Sequence, residues 1–276
     1  MSDRTKDADW PRRLSEAKKL AALLVTERRQ DIPLRAEFVR DIDAGPNAGP
    51  PDTKMRQLVR RGGSDGLLLK LYLALIWRCS APPFDTEISA RKWSSLLALP
   101  LYEHNVGARR VAKALTTLKS LGLIEVERID GDSSRVTLLH ESGNGKPYTL
   151  PFAGGRADTY YLRVPVELWT SGKMYELGTP GVAMLLALLA EQPKDGGEVW
   201  WSTRRFERRI GLSVSTRTRG TKELVDARVL FTRRGQRPND KKSFAPESTV
   251  TIYKLQGEAA PTKVARKKTI TAAKRK

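Results

Sequence analysis

The segment LKSLGLIEVERIDGDSSRVTLLH, residues 118–140, changes its hydrophobic period part-way along. Before Gly122 the apolar residues recur at helical spacing; after it they alternate with polar ones, as on a half-buried strand. Leu123, Ile124, Glu125, Val126, Glu127, Arg128 and Ile129 read as one strand and Arg135 to Leu139 as its partner, with GDSS as the turn between them. Gly122 stands where a helix needs a residue that accepts the left-handed conformation, so the pattern predicts helix, stop, hairpin.

Upstream, GLLLKLYLALIWRCS (66–80) is apolar on most faces and predicts a buried helix ending before Pro82 and Pro83. FDTEIS predicts a short strand, and Ser89 the cap of a helix ARKWSSLLAL that stops at Pro100. In VGARRVAKALTTLKSLG, Val111, Ala114, Leu115 and Leu118 share one helical side, with Arg109, Arg110 and Lys113 on the other. The same order then returns. Thr179 to Gln192 is a second buried helix with Pro180 in its first turn. EVWWS is a strand, Ser202 or Thr203 caps TRRFERRIGL, and Ser213 caps a basic helix within GLSVSTRTRGTKELVDARVLF. After the long basic turn GQRPNDKKSFAPES, the alternating strand TVTIYKL closes the unit. Two copies of one order point to an internal repeat.

The segments VGARRVAKALTTLKSLGLIEVER and GLSVSTRTRGTKELVDARVLF, each followed by a turn and a strand, resemble the recognition helix and wing of winged helix-turn-helix DNA-binding proteins such as the MarR-like and GntR-like regulators. The resemblance covers residues 66–140 and 160–255. It implies an α+β, mainly α fold of two tandem winged helix-turn-helix domains with small antiparallel wings. The corresponding division is an N-terminal helix and linker (1–65), domain one (66–141), a linker (142–159), domain two (160–255) and a basic disordered tail (256–276). Two departures stand out in the second copy. Arg228 occupies the place of the helix-ending glycine, and Arg217 and Gly220 occupy positions that are normally apolar, which predicts a shortened, kinked or register-shifted helix.

Charge sharpens the functional expectation. Of the net +19, most lies in residues 200–276, where 21 Lys+Arg face 6 Asp+Glu, against 29 and 25 in the rest of the chain. Such clustering is the footprint of a polyanion binder. A helix fits the major groove of DNA, where Arg and Lys pair with guanine edges and Ser and Thr meet bases or phosphate. The candidate contacts of the second copy are therefore Ser215, Thr216, Arg217, Arg219 and Lys222, with Arg233, Arg234, Arg237, Lys241 and Lys242 on its wing. Those of the first copy are Arg109, Arg110 and Lys113, with Arg128 and Arg135 on a wing that also carries Glu125, Glu127, Asp130 and Asp132. Those acids repel phosphate, so a protein-contact or architectural role stands beside DNA reading for the first domain.

Catalytic chemistry finds no foothold in the pattern. The histidines, His104 and His140, are isolated; the single cysteine, Cys79, excludes an intramolecular disulfide or a cysteine-clustered metal site; and there is no Walker loop. Tyr160 and Tyr161 fit a strand better than a DNA-cleaving pair. A non-enzymatic chain with no cofactor is expected. The longest apolar run, LLLKLYLALIW, is broken by Lys70 and too short to span a bilayer, and the N-terminus lacks a secretory pattern, so a cytoplasmic, nucleoid-associated protein is expected. PRRLSEAKKLAALLVTERR predicts an amphipathic helix, for packing on its own domain or for self-association, and DAGPNAGPPD a linker. The expected function is double-stranded DNA binding by a transcriptional regulator. Two alternatives share the same residues: a plasmid- or phage-type replication initiator on iterated repeats, and a non-enzymatic nucleoprotein assembly factor.

Overall fold

The computed structural model describes residues 7–25, 30–41, 49–100, 105–129, 134–151, 160–193, 196–236 and 249–261. The chain opens with helix α1 (Trp10–Leu24), strand β1 (Asp31–Arg35) and helix α2 (Lys54–Arg61). There follow α3 (Leu67–Arg78), β2 (Asp85–Thr86), α4 (Ala90–Leu96), α5 (Val106–Ser120), β3 (Ile124–Arg128) and β4 (Ser134–Leu138). After β5 (Tyr161–Pro165) and the short helices α6 (Glu167–Thr170) and α7 (Lys173–Glu176), the order repeats. Its second copy is α8 (Thr179–Glu191), β6 (Val199–Trp200), α9 (Thr203–Ile210), α10 (Val214–Asp226), β7 (Leu230–Gln236) and β8 (Thr249–Leu255). The fold is α+β, mainly helical, with small antiparallel sheets ordered β2-β4-β3 and β6-β8-β7.

Local chemistry explains these elements. Ser89, Ser202 and Ser213 each accept the first-turn amide of the helix they precede, from Lys92 (3.4 Å), Arg205 (3.1 Å) and Thr216 (3.2 Å). α3 and α8 are buried on every side over most of their lengths, as their unbroken apolar character requires. α1 lies against α4 and α6, with Ala17 and Ala21 fully buried, so its apolar stripe is spent within the chain.

The second copy meets one part of its expectation. α10 is one continuous helix of 13 residues, shorter than the 15 of α5. Arg228 takes the left-handed conformation (φ 62°) that Gly122 takes in the first copy (φ 68°), so both helices stop in the same way. Counting back from these residues, Gly220 stands where the first copy has Ala114. There α10 crosses α8 so closely that a Cβ on Gly220 would lie 2.3 Å from the Pro180 carbonyl oxygen and 2.7 Å from Met184 Cβ. Glu223, one turn further, accepts the Gly178 and Gly181 amides at 2.7 and 2.9 Å and so caps α8. Gly220→Ala is accordingly expected to destabilise the fold by about 2 kcal/mol through overpacking, although alanine favours a helix over glycine by about 1 kcal/mol. Chemical denaturation checks the sign.

Two regions read as linkers contain structure. β1 pairs antiparallel with β5, from Asp31↔Pro165 to Arg35↔Tyr161. Residues 142–151, assigned to the second linker, fold back on the first copy: His140 donates its amide to the Lys146 carbonyl (2.9 Å), and Tyr148 packs edge-on against Phe84. Glu141 is fully buried and ion-paired with Arg35, which also donates to Thr149 Oγ1 at 2.8 Å. Burial raises the Glu141 carboxyl despite that partner. The end of α8 carries a second buried acid, Glu191, clamped between Arg40 from the segment after β1 and Arg209 of α9 (2.8 Å). The Asp41 amide also donates to the Arg209 carbonyl at 3.0 Å, so the N-terminal segment is stitched to the second copy. No helix among the described residues is long and apolar enough to cross a membrane.

Candidate nucleic-acid interface

In each copy the long helix before the hairpin locks one face into the body and leaves the other open. α5 buries Val111, Ala114, Leu115 and Leu118, which leaves Arg109, Ala112, Lys113 and Thr116 exposed in a row at three- and four-residue spacing. α10, inward at Gly220 and Leu224, exposes Ser215, Thr218, Arg219 and Lys222 at the equivalent positions. Residue type alone misses Thr218. The i, i+3 step from Ser215 is the signal that finds it.

Arg217 turns the other way, contrary to its expected role at the groove. It occupies the place of buried Val111, and its guanidinium sits among three aromatic rings, 4.9 Å from the centre of Phe206, 5.4 Å from Tyr253 and 5.8 Å from Trp201. It donates to Tyr253 Oη (3.1 Å) and the Trp201 carbonyl (3.3 Å). The arginine thus ties α10 to α9 and the sheet from within, where a cation over aromatic faces replaces an aliphatic contact. Thr216 is likewise spent, its hydroxyl 3.0 Å from that of Ser213 within the helix cap.

The remaining candidates divide by whether an acid holds them. Arg110 pairs with Asp65, whose carboxyl is raised by burial but brought below its ordinary range by the Arg110 charge and hydrogen bond. Arg135 is ringed by Glu87, Glu127 (3.6 Å) and Asp85 (3.8 Å). Arg233 binds Glu198 through two hydrogen bonds, at 2.7 and 3.1 Å, and Lys222 meets Asp226 at 2.9 Å on the helix surface. Arg109, Lys113, Arg128, Arg219 and Arg234 are exposed and have no ion-pair partner among the described residues. Four of these form equivalent pairs: Lys113 with Arg219 on the helices, Arg128 with Arg234 on the hairpins. The hairpins differ beside them, since Glu125 and Glu127 of the first correspond to Phe231 and Arg233 of the second. Arg237, Lys241 and Lys242, the acidic turn with Asp130 and Asp132, His104, and the tail from residue 262 lie outside the described residues.

Among the described residues no group of His, Cys, Asp or Glu is placed to hold a metal ion. What the surface offers is two helix-and-hairpin faces with uncommitted cations and hydroxyls. No protein-family model matches the chain, and no curated protein matches it.

Proposed function

We propose that the two repeats are winged helix-turn-helix modules and that the chain is a non-enzymatic double-stranded DNA-binding protein. The observation that carries this reading is the recurrence of exposed cations, unpaired among the described residues, at equivalent positions of both copies, Lys113 with Arg219 and Arg128 with Arg234. A cation already held by a carboxylate must give up that partner to meet phosphate. An unpaired one exchanges only water and counterion.

The second copy is the stronger reader. Its helix sets Arg219 among hydroxyls, a combination suited to base edges in a major groove, and its hairpin bears Arg234 on a strand without the exposed glutamates of the first. The first copy keeps Arg109, Lys113 and Arg128, but Glu125 and Glu127 weaken its approach to phosphate. Sequencing the DNA that co-purifies with the protein tests the reading. Enrichment of scattered promoters supports a transcriptional regulator, and one cluster of repeats supports a replication initiator. Recovery without sequence enrichment contradicts site-specific recognition and favours an assembly factor.

A further inference from the structure

We infer that one chain reads two non-identical half-sites in inverted orientation on a single duplex. This rests on the DNA-binding reading above and adds the geometry of the target.

Three observations relate the copies by a two-fold axis rather than by translation. First, β1 and β5 pair antiparallel about the central pairing Pro33↔Arg163, and an antiparallel pair is locally two-fold about its middle. α3 packs on β1 as α8 packs on β5. Second, equivalent ends of α3 and α8 meet. A Cβ on Gly66, which precedes α3, would lie 3.2 Å from the carbonyl of Gly178, which precedes α8. The Gly66 amide donates to Thr179 Oγ1 (3.0 Å) and the Thr179 amide to the Ser64 carbonyl (2.9 Å), while Lys70 Nζ donates to the Leu177 carbonyl (2.6 Å). Like touching like marks a two-fold interface, whereas head-to-tail repeats place the end of one unit on the start of the next. Third, α5 packs on α3 and α10 on α8, the adjacency that such an axis requires of the outer helices.

The consequence for DNA is geometric. Two helices, each about 10 Å across, stand between α5 and α10, so their open faces are on the order of 20 Å or more apart. That exceeds the roughly 12 Å width of one major groove, and each helix enters its own stretch of groove. A homodimeric helix-turn-helix protein meets this geometry with identical half-sites. Here the equivalent positions differ: Arg109 against Ser215, Ala112 against Thr218, Thr116 against Lys222, with only Lys113 and Arg219 alike in charge. The target is inverted in geometry and unsymmetrical in sequence.

Tethered cleavage tests this on the full chain. Cys79 is buried and its thiol is pushed up to about 12 by desolvation, so a maleimide-linked iron chelate goes to introduced cysteines. The tether is placed singly at the start of each helix, Val106→Cys or Val214→Cys, and near each end, Ser120→Cys or Asp226→Cys. The probe is the tightest duplex recovered from a random-sequence pool. The expected cleavage centres fall in mirror order along the duplex, start and end on one side and end and start on the other, with one chain bound per duplex. Same-direction order, cleavage from one helix alone, or two chains per duplex overturns the inverted arrangement and leaves the DNA-binding reading standing. Failure to recover any duplex overturns both.

Discussion

Replacing Glu191 with alanine is expected to destabilise the protein by about 3 kcal/mol, because it leaves the Arg40 and Arg209 guanidinium groups facing each other without their shared acid. The carboxylate side chain is only 6% exposed, and its arginines 17% and 20%, so water cannot fully replace the missing partner. For a chain of this size the expected fall in Tm is on the order of 6–12 °C. The pH dependence follows from the same cluster. Burial works to raise the Glu191 carboxyl, but the Arg209 hydrogen bonds and the charge and hydrogen bond of Arg40 outweigh it and hold the group below its ordinary range. A depressed carboxylate contributes stability above its unfolded-state pKa, about 4.3, and loses it as pH falls through the folded value. Thermal melts from neutral pH downward should therefore show less acid loss in Glu191→Gln than in the parent. Equal acid loss in both chains would place the sensitivity elsewhere.

Arg217→Ala and Arg219→Ala, two residues apart on α10, should give opposite results. Loss of Arg217 empties the box of Trp201, Phe206 and Tyr253 and removes two hydrogen bonds. Its expected cost is about 1–2 kcal/mol of stability, with site preference unchanged once the protein is folded. Loss of exposed Arg219 should leave stability within about 0.5 kcal/mol of the parent's. It should cost about 1–3 kcal/mol of affinity for the preferred duplex and relax the preference at one base pair. Denaturation curves and binding to single-base variants of the best site check both halves. A folded Arg217→Ala protein with altered preference, beside an unaltered Arg219→Ala, reverses the two assignments.

That contrast shows what the residue pattern revealed and what it left out. The order of elements in each copy was legible because α3 and α8 are apolar over most of their lengths, the serine caps sit directly before their helices, and apolar and polar residues alternate along much of each hairpin. β1 was not legible: its five residues, DIPLR, contain Pro33, which disrupts a strand pattern and is tolerated on a two-stranded ribbon. The inward turn of Arg217 was hidden for a different reason. Helical spacing assigned the position to the apolar face, residue type assigned it to the groove, and only the distant aromatic rings of α9 and the sheet decide for the interior. Acid partners at long range, Asp65 for Arg110 and Glu198 for Arg233, likewise cannot be read from local sequence. Composition counts such arginines with the free ones, whereas folding neutralises them.

Duplex binding across a salt series, with two fourfold alanine variants set beside the parent chain, shows whether the uncommitted cations neutralise phosphate. One removes the four unpaired cations that stand at equivalent positions, Lys113, Arg128, Arg219 and Arg234; the other removes four paired ones, Arg110, Arg135, Lys222 and Arg233. The plot of log affinity against log salt is expected to become shallower by about 3–4 in the first variant, near 0.9 for each phosphate no longer neutralised, and by clearly less in the second. Equal change in both variants, or a parent chain whose duplex affinity does not depend on salt, would contradict the claim that the uncommitted cations of the two repeats form a DNA-binding surface.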